Sequence, residues 1–165
     1  MQLSRVSLVL LGVSLALASP SGLSEVKLKR GGCPMFWYSF NGHCYKYVST
    51  HLTWADAELY CVSEGANLVS IHSPEENDFV KTLIRNFDFS QGPTWIGLSD
   101  IHKERGWMWS DGCPVDLKIW SEGEPNNDRG NEYCVEINHG VQNNWNDHPC
   151  SSTYPSVCAT RKTVC

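Results

Sequence analysis

The chain has 165 residues, of which 13 are Lys or Arg and 18 are Asp or Glu, so its formal net charge is −5 and its pI is near 5.6. This length suffices for one domain and a targeting segment. The acidic balance argues against nucleic acid or an anionic membrane as the main partner.

The first 18 residues predict a secretory signal peptide. Arg5 precedes an apolar stretch over 6–18, which is too short to span a bilayer, and Ala16-Leu17-Ala18 is a typical cleavage site. The polar segment 19–32 is then either a flexible arm or a short propeptide. The remaining domain, 33–165, is expected to be extracellular, without a membrane anchor.

Cysteine content points to the same compartment. The chain has eight cysteines, at positions 33, 44, 61, 113, 134, 150, 158 and 165. In an exported chain such a set indicates disulfide bonds. No C-x-x-C pair and no Cys/His cluster with zinc spacing is present, which argues against a structural zinc site.

The first half of the domain predicts one strand and two helices. Residues 44–48 alternate and are rich in aromatic side chains, as expected of a strand. Thr53 is a candidate N-cap for a helix over 54–61 with a buried face that includes Leu59, and Gly65 is its stop signal. Ser73 and Pro74 then begin a second helix that should end near Arg85.

The second half predicts strands and one long loop. Apolar segments at 95–98, 106–109, 133–137 and 156–159 favour strands, and their tryptophans favour the core. Residues 110–132 lack periodicity and are rich in Gly, Pro, Asn and Asp, which is typical of a functional loop. The predicted fold class is α+β, with two early helices and a small antiparallel sheet that carries the loop.

Oxygen donors concentrate around this loop. Glu124, Asn126 and Glu132 come first, and a further loop is expected to carry Asn146 and Asp147. Calcium prefers six to eight such oxygen ligands, so the set is a candidate calcium site. Asn, Asp and Gly are also ordinary loop residues, so composition alone leaves both interpretations open. His139 and His148 lie nearby and are expected to be solvated loop residues.

Four motifs occur in order between the cysteines: W-I-G-L at 95–98, W-x-W-S-D-G at 107–112, E-P-N at 124–126 and W-N-D at 145–147. Together they resemble the C-type lectin carbohydrate-recognition domain over 33–158. The resemblance implies that Glu124, Asn126, Glu132, Asn146 and Asp147 bind both calcium and sugar. It also implies a cis peptide bond between Glu124 and Pro125.

The same resemblance implies further features. It pairs Cys33 with Cys44, Cys61 with Cys158 and Cys134 with Cys150. Asp100, Glu104 and Asn127 stand where part of the family holds an auxiliary calcium. Cys113 and Cys165 remain as candidates for an interchain bond, so a disulfide-linked homodimer is expected, with an internal bond as the alternative.

The resulting functional prediction is a secreted lectin that uses Ca²⁺ to bind glycans on cell or microbial surfaces, in recognition or agglutination. E-P-N favours mannose-type sugars within the family. One alternative is a galactose- or lactose-binding lectin that does not need calcium. Another is an ice-binding protein on the same fold. An enzyme is not expected, because no nucleophile motif or acid–base pair stands outside the candidate calcium cluster.

Overall fold

The computed structural model describes residues 27–160. The predicted signal peptide, most of the predicted arm and Cys165 therefore lie outside the described residues. The described part contains two α-helices, eight β-strands and one short 3₁₀ helix. In chain order they are β1 Tyr38–Phe40, β2 His43–Leu52, α1 Trp54–Ser63, β3 Asn67–Leu68, α2 Pro74–Phe87, β4 Thr94–Ser99, β5 Met108–Trp109, the 3₁₀ helix Asp128–Gly130, β6 Cys134–His139, β7 Asn144–His148 and β8 Tyr154–Thr160.

The strands form one sheet of mixed direction. Six strands lie in the order β1-β2-β8-β4-β6-β7, while β3 pairs with β8 and β5 pairs with β4. Most neighbours are antiparallel, but β4 and β8 run parallel, with Trp95 opposite Ser156. The α+β prediction is confirmed, although the sheet is larger than expected and not purely antiparallel.

Helix α1 begins where the capping signal predicts. The side chain of Thr53 accepts a hydrogen bond from the backbone N–H of Asp56, and Gly65 adopts a positive φ of 74° just beyond the helix. Trp54, Ala57 and Cys61 face the core. The expected burial of Leu59 is wrong: its side chain is 67% exposed, because it points away from the sheet that covers the opposite face.

Helix α2 is capped by Ser73, which accepts a hydrogen bond from the backbone N–H of Glu76. The helix runs to Phe87, two residues past the predicted end at Arg85. Its apolar face is completely buried, as the helical spacing predicts. This face consists of Phe79, Val80, Leu83 and Ile84.

Two strand predictions need correction. The segment 106–109 contributes only Met108 and Trp109 to a strand, since only these two residues pair with β4. The W-N-D motif, expected on a loop, lies within β7. There Asn146 pairs with Glu136 and Asp147 with Val135 of β6, so a backbone ladder holds both polar side chains in place.

Three predicted disulfides are present: Cys33–Cys44, Cys61–Cys158 and Cys134–Cys150. The first ties the segment before β1 to β2. The second links α1 to β8, and the third links β6 to the segment after β7. The first two bonds therefore fix the beginning and the end of the described domain, and the third fixes the end of β7 to β6.

The core lies between the sheet and both helices. Trp95, which its strand pattern predicted to be buried, and Trp145 of the W-N-D motif are among its largest fully buried side chains. The indole N–H of Trp145 donates to Asn77 Oδ1 at 2.9 Å, which fixes β7 against α2. Within the described residues, no helix is long and apolar enough to cross a membrane.

Candidate functional site

The long loop is attached to β7 at the point where the polar side chains begin. Trp120 forms a parallel bridge with Trp145, and the N–H of Ser121 donates to the carbonyl of Trp145 at 2.8 Å. The N–H of Glu124 then donates to the carbonyl of Ser121 at 3.1 Å. The peptide bond from Glu124 to Pro125 is cis, so that prediction is confirmed.

Asp147 is the centre of the cluster and is only 1% exposed. Its Oδ1 accepts a hydrogen bond from the N–H of Asn126 at 3.0 Å, and its Oδ2 accepts one from the N–H of Asn127 at 2.7 Å. One buried carboxylate on β7 therefore shapes the backbone of the loop that carries the E-P-N motif.

Glu132 closes the same loop from its other end. Its backbone N–H donates to Asn127 Oδ1 at 3.0 Å, and its Oε2 accepts from the N–H of Asp128 at 2.7 Å. Its Oε1 lies 3.8 Å from His148 Nδ1, and His148 Nε2 is 2.9 Å from the hydroxyl of Tyr154. Glu132 is thus held by both the loop and the end of β7.

The remaining predicted ligands differ in burial: Glu124 is half-buried, Asn126 is exposed and Asn146 is buried. Asn126 Nδ2 donates to Glu124 Oε1 at 3.0 Å, and Glu124 Oε2 is buried without a hydrogen-bond partner. Asn146 Nδ2 donates to Glu136 Oε1 at 3.3 Å. Buried polar atoms are normally paired, so the orphaned oxygen of Glu124 is suited to a ligand or a cation.

The charges of the cluster are mutually unfavourable. Burial raises the pKa of the Glu124 carboxyl, and the neighbouring carboxylate of Asp147 raises it further. Burial also raises the pKa of Glu132, with the negative charge of Asp147 acting in the same direction. A bound cation would offset both effects, so the donor chemistry and the electrostatics fit calcium.

The spacing of the carboxylates is also relevant. Glu124, Glu132 and Asp147 do not bring one oxygen each within 4.8 Å of one another; among the described residues only His72, Asp111 and Cys113 form such a trio. Cys113 is disulfide-bonded and has no thiolate to offer. The fit to calcium therefore rests on the oxygen donors and on the raised pKa values of Glu124 and Glu132, and not on a preformed group of three carboxylates.

The three predicted auxiliary residues are also brought together. Asp100 is 3% exposed; its Oδ2 accepts from the N–H of Arg105 at 2.7 Å, and its Oδ1 is buried without a partner. Asn127 Nδ2 donates to Glu104 Oε2 at 2.8 Å. Asp100, Glu104, Asn127 and Asp147 line a cavity of about 20 Å³. Burial and the charges of Glu104 and Asp147 raise the pKa of Asp100.

Sequence reasoning missed Glu136. This residue lies in the middle of β6, is 2% exposed, and leaves its Oε2 without a partner. Burial raises the pKa of its carboxyl to about 8. A charged residue inside the otherwise apolar strand C-V-E-I was the available signal, because carboxylates are rarely buried without a role.

The two histidines near the site were expected on loops, but each ends a strand, although the side chain of His139 is 43% exposed. His139 ends β6, with Nε2 3.8 Å from Glu124 Oε1 and Nδ1 3.5 Å from Glu136 Oε1. His148 ends β7 and lies against Glu132. The sequence already placed both histidines near the site, and the pairing of β6 with β7 shows which carboxylates their imidazoles approach.

Comparisons with known proteins agree with this geometry. Residues 50–160 match the family model described as the lectin C-type domain. Lactose-binding lectin l-2 of Anguilla japonica is 42% identical over 152 residues, covering 90% of this chain and 89% of the relative. The C-type lectin mannose-binding isoform of Oxyuranus scutellatus is 40% identical, covering 78% and 84%. The structure of herring type II antifreeze protein superposes with a TM-score of 0.73 at 39% identity, covering 79% of this chain and all of that one.

The mixed sheet, the interleaved disulfides and the polar cluster at the end of β6 and β7 define a C-type lectin-like domain. The chain belongs to the C-type lectin family. This is a family of carbohydrate-binding proteins and not of enzymes, which agrees with the expectation drawn from the missing nucleophile motif.

Proposed function

We propose that this protein is a secreted, calcium-dependent lectin that recognises mannose-type glycans on cell or microbial surfaces. The observation that carries the proposal is that Asp147 and Glu132 hold the E-P-N loop through backbone hydrogen bonds, so that five oxygen-donor side chains, two of them carboxylates with raised pKa values, belong to one cluster. Glu124, Asn126, Glu132, Asn146 and Asp147 would hold the calcium. The ion would supply a positive centre for two vicinal sugar hydroxyls.

The side chains around that centre complete the recognition. Glu124 and Glu132 can each accept the proton of a sugar hydroxyl. An amide group has two N–H donors. Asn126 and Asn146 each use one within the site, so each keeps one for a sugar oxygen. A sugar with the wrong stereochemistry would leave such groups unpaired, at a cost of about 1–3 kcal/mol each.

The test is competition of glycan binding in calcium and in chelator, with mannose and lactose compared side by side. We expect chelator to abolish binding and mannose to compete better than lactose. Undiminished binding in chelator would refute the calcium dependence. Stronger competition by lactose would support the galactose-type alternative, which the lactose-binding relative favours.

A matched variant sharpens the sugar test. In this family Q-P-D accompanies galactose specificity, so Glu124→Gln combined with Asn126→Asp should shift the preference from mannose towards lactose. The double substitution leaves the backbone contacts of Asp147 in place, since these are made by main-chain N–H groups. An unchanged ratio of mannose to lactose binding would remove the assigned role of these two side chains.

Ice binding is the second candidate function, favoured by the similarity to herring type II antifreeze protein. Thermal hysteresis measured with and without calcium decides this point. A clear hysteresis together with no response on a glycan array would replace the lectin proposal. Agglutination of microbes by the same preparation would instead support a role in innate defence.

The auxiliary ion and the covalent dimer stay predictions. A second calcium at Asp100, Glu104 and Asn127 would appear as a stoichiometry of two in calorimetry. Cys113 is buried and takes part in a disulfide within this single chain, which supports the internal bond as the alternative to the dimer, and Cys165 lies outside the described residues. Electrophoresis without reductant tests the dimer: a band of twice the monomer mass supports it, and a band at monomer mass contradicts it.

A further inference from the structure

A second cavity adjoins the proposed calcium site. It has a volume of about 320 Å³ and is lined by Ser121, Glu122, His139, Gly140, Val141 and Gln142. Such a volume lies within the usual range of small-molecule sites. None of the motifs that identified the family includes the end of β6 or the turn between β6 and β7, which together supply four of these residues.

The cavity and the E-P-N loop share one stretch of backbone. Ser121 Oγ donates to the carbonyl of His139 at 3.0 Å, which joins the two walls of the cavity. The carbonyl of Ser121 accepts from the N–H of Glu124. His139 Nε2 lies 3.8 Å from Glu124 Oε1, so the imidazole separates the cavity from the proposed calcium site. A ligand that occupies both would pass across His139.

The outer wall is held in place by helix α2. Lys81 Nζ donates to the carbonyl of Gln142 and to Asn144 Oδ1, both at 3.0 Å. The N–H of Asn143 donates to the carbonyl of Gly140, which closes the turn. The wall is therefore preorganised, and a ligand would lose less free energy in ordering it.

The exposed groups of the cavity suit a sugar ring. Gln142 Oε1 accepts from Asn144 Nδ2, which orients the amide of Gln142 with its NH₂ group available to donate. Val141 is an isolated, fully exposed apolar side chain beside it. Glu122 lines the cavity and Glu124 lies close to His139, so the surroundings carry negative charge, which disfavours sulfated or sialylated sugars.

We infer that this cavity is a subsite for a second, neutral monosaccharide unit, so that the protein reads a disaccharide and not a single terminal sugar. The inference rests on the proposed lectin function, because the first sugar is placed at the proposed calcium site. Two or three hydrogen bonds of ordinary strength in the subsite correspond to about tenfold in affinity.

The experiment measures inhibition by methyl mannoside against mannobiose, and by methyl galactoside against lactose, in calcium. The proteins are the full-length wild type, the variant Val141→Ala/Gln142→Ala, and Val62→Ala as a control on the exposed face of α1. In the wild type and the control, we expect the better disaccharide to inhibit binding at about one tenth of the concentration that its monosaccharide requires. The double variant should reduce this ratio to about one while monosaccharide inhibition stays unchanged.

Three outcomes would count against the subsite. Equal inhibition by both members of each pair in the wild type would overturn it, as would a double variant that keeps the disaccharide advantage. Stronger binding of a sialylated or sulfated disaccharide than of its neutral parent would overturn the assignment of a neutral sugar. Failure of every monosaccharide to inhibit the wild type would instead refute the proposed function on which the subsite rests.

Discussion

Replacement of Glu136 by Gln should stabilise the calcium-free protein at neutral pH. Burial raises the pKa of this carboxyl from 4.5 to about 8, so at pH 7 the folded state keeps a proton that the unfolded state has released. Stability from this group is fully present below pH 4.5 and is lost as the pH rises towards 8. Gln has the shape of the protonated acid but does not titrate, so it contributes no pH dependence to the stability.

The magnitude follows from the pKa difference. For each pH unit between 4.5 and 7, Glu136 lowers the free energy of unfolding of the wild type by about 1.4 kcal/mol. The loss accumulated at pH 7 is therefore about 3 kcal/mol. For a domain of this size, Glu136→Gln should then raise Tm by about 10 °C in chelator. The Oε1 of Gln can still accept from Asn146 Nδ2, so the packing of β6 against β7 is retained.

The assay is thermal unfolding in chelator at several pH values from 5 to 8. Glu124, Glu132 and Asp100 also have raised pKa values, so the wild type should lose stability across this range and Glu136→Gln should lose markedly less. Glu75→Gln, on the exposed first turn of α2, should leave the wild-type profile unchanged. Parallel profiles for wild type and Glu136→Gln would refute the assignment of a buried, neutral Glu136.

Three further predictions concern the framework around the site. Cys134→Ala combined with Cys150→Ala should lower the free energy of unfolding by about 2–4 kcal/mol in urea titration, and an unchanged midpoint would contradict a bracing role for this disulfide. Trp145→Phe removes the indole donor to Asn77 and should cost about 2 kcal/mol; a loss below about 0.5 kcal/mol would mean that the bond contributes little. Lys81→Met should accelerate hydrogen exchange across residues 139–144, whereas Lys81→Arg should keep part of the protection. Equal exchange in all three proteins would show that the hydrogen bonds of Lys81 to Gln142 and Asn144 do not stabilise this turn.

Local sequence patterns determined the secondary structure where the signal is contained in a few neighbouring residues. Thr53 and Gly65 marked the bounds of α1, because capping and positive φ depend on residues within one turn. The spacing of Phe79, Val80, Leu83 and Ile84 identified the buried face of α2. The five candidate calcium ligands could also be named, since the E-P-N and W-N-D motifs resemble those of a known family.

Only the tertiary structure decided which side chains meet between distant segments. The pairing of β6 with β7 sets His139 and His148 against carboxylates of the site and places Glu136 beside Asn146. The sequence had placed both histidines near the site but on loops, and it assigned no role to Glu136. The same pairing made W-N-D part of a strand. The pKa of a carboxylate depends on its burial, and the burial of Glu136 depends on neighbouring strands that come together only in the folded sheet.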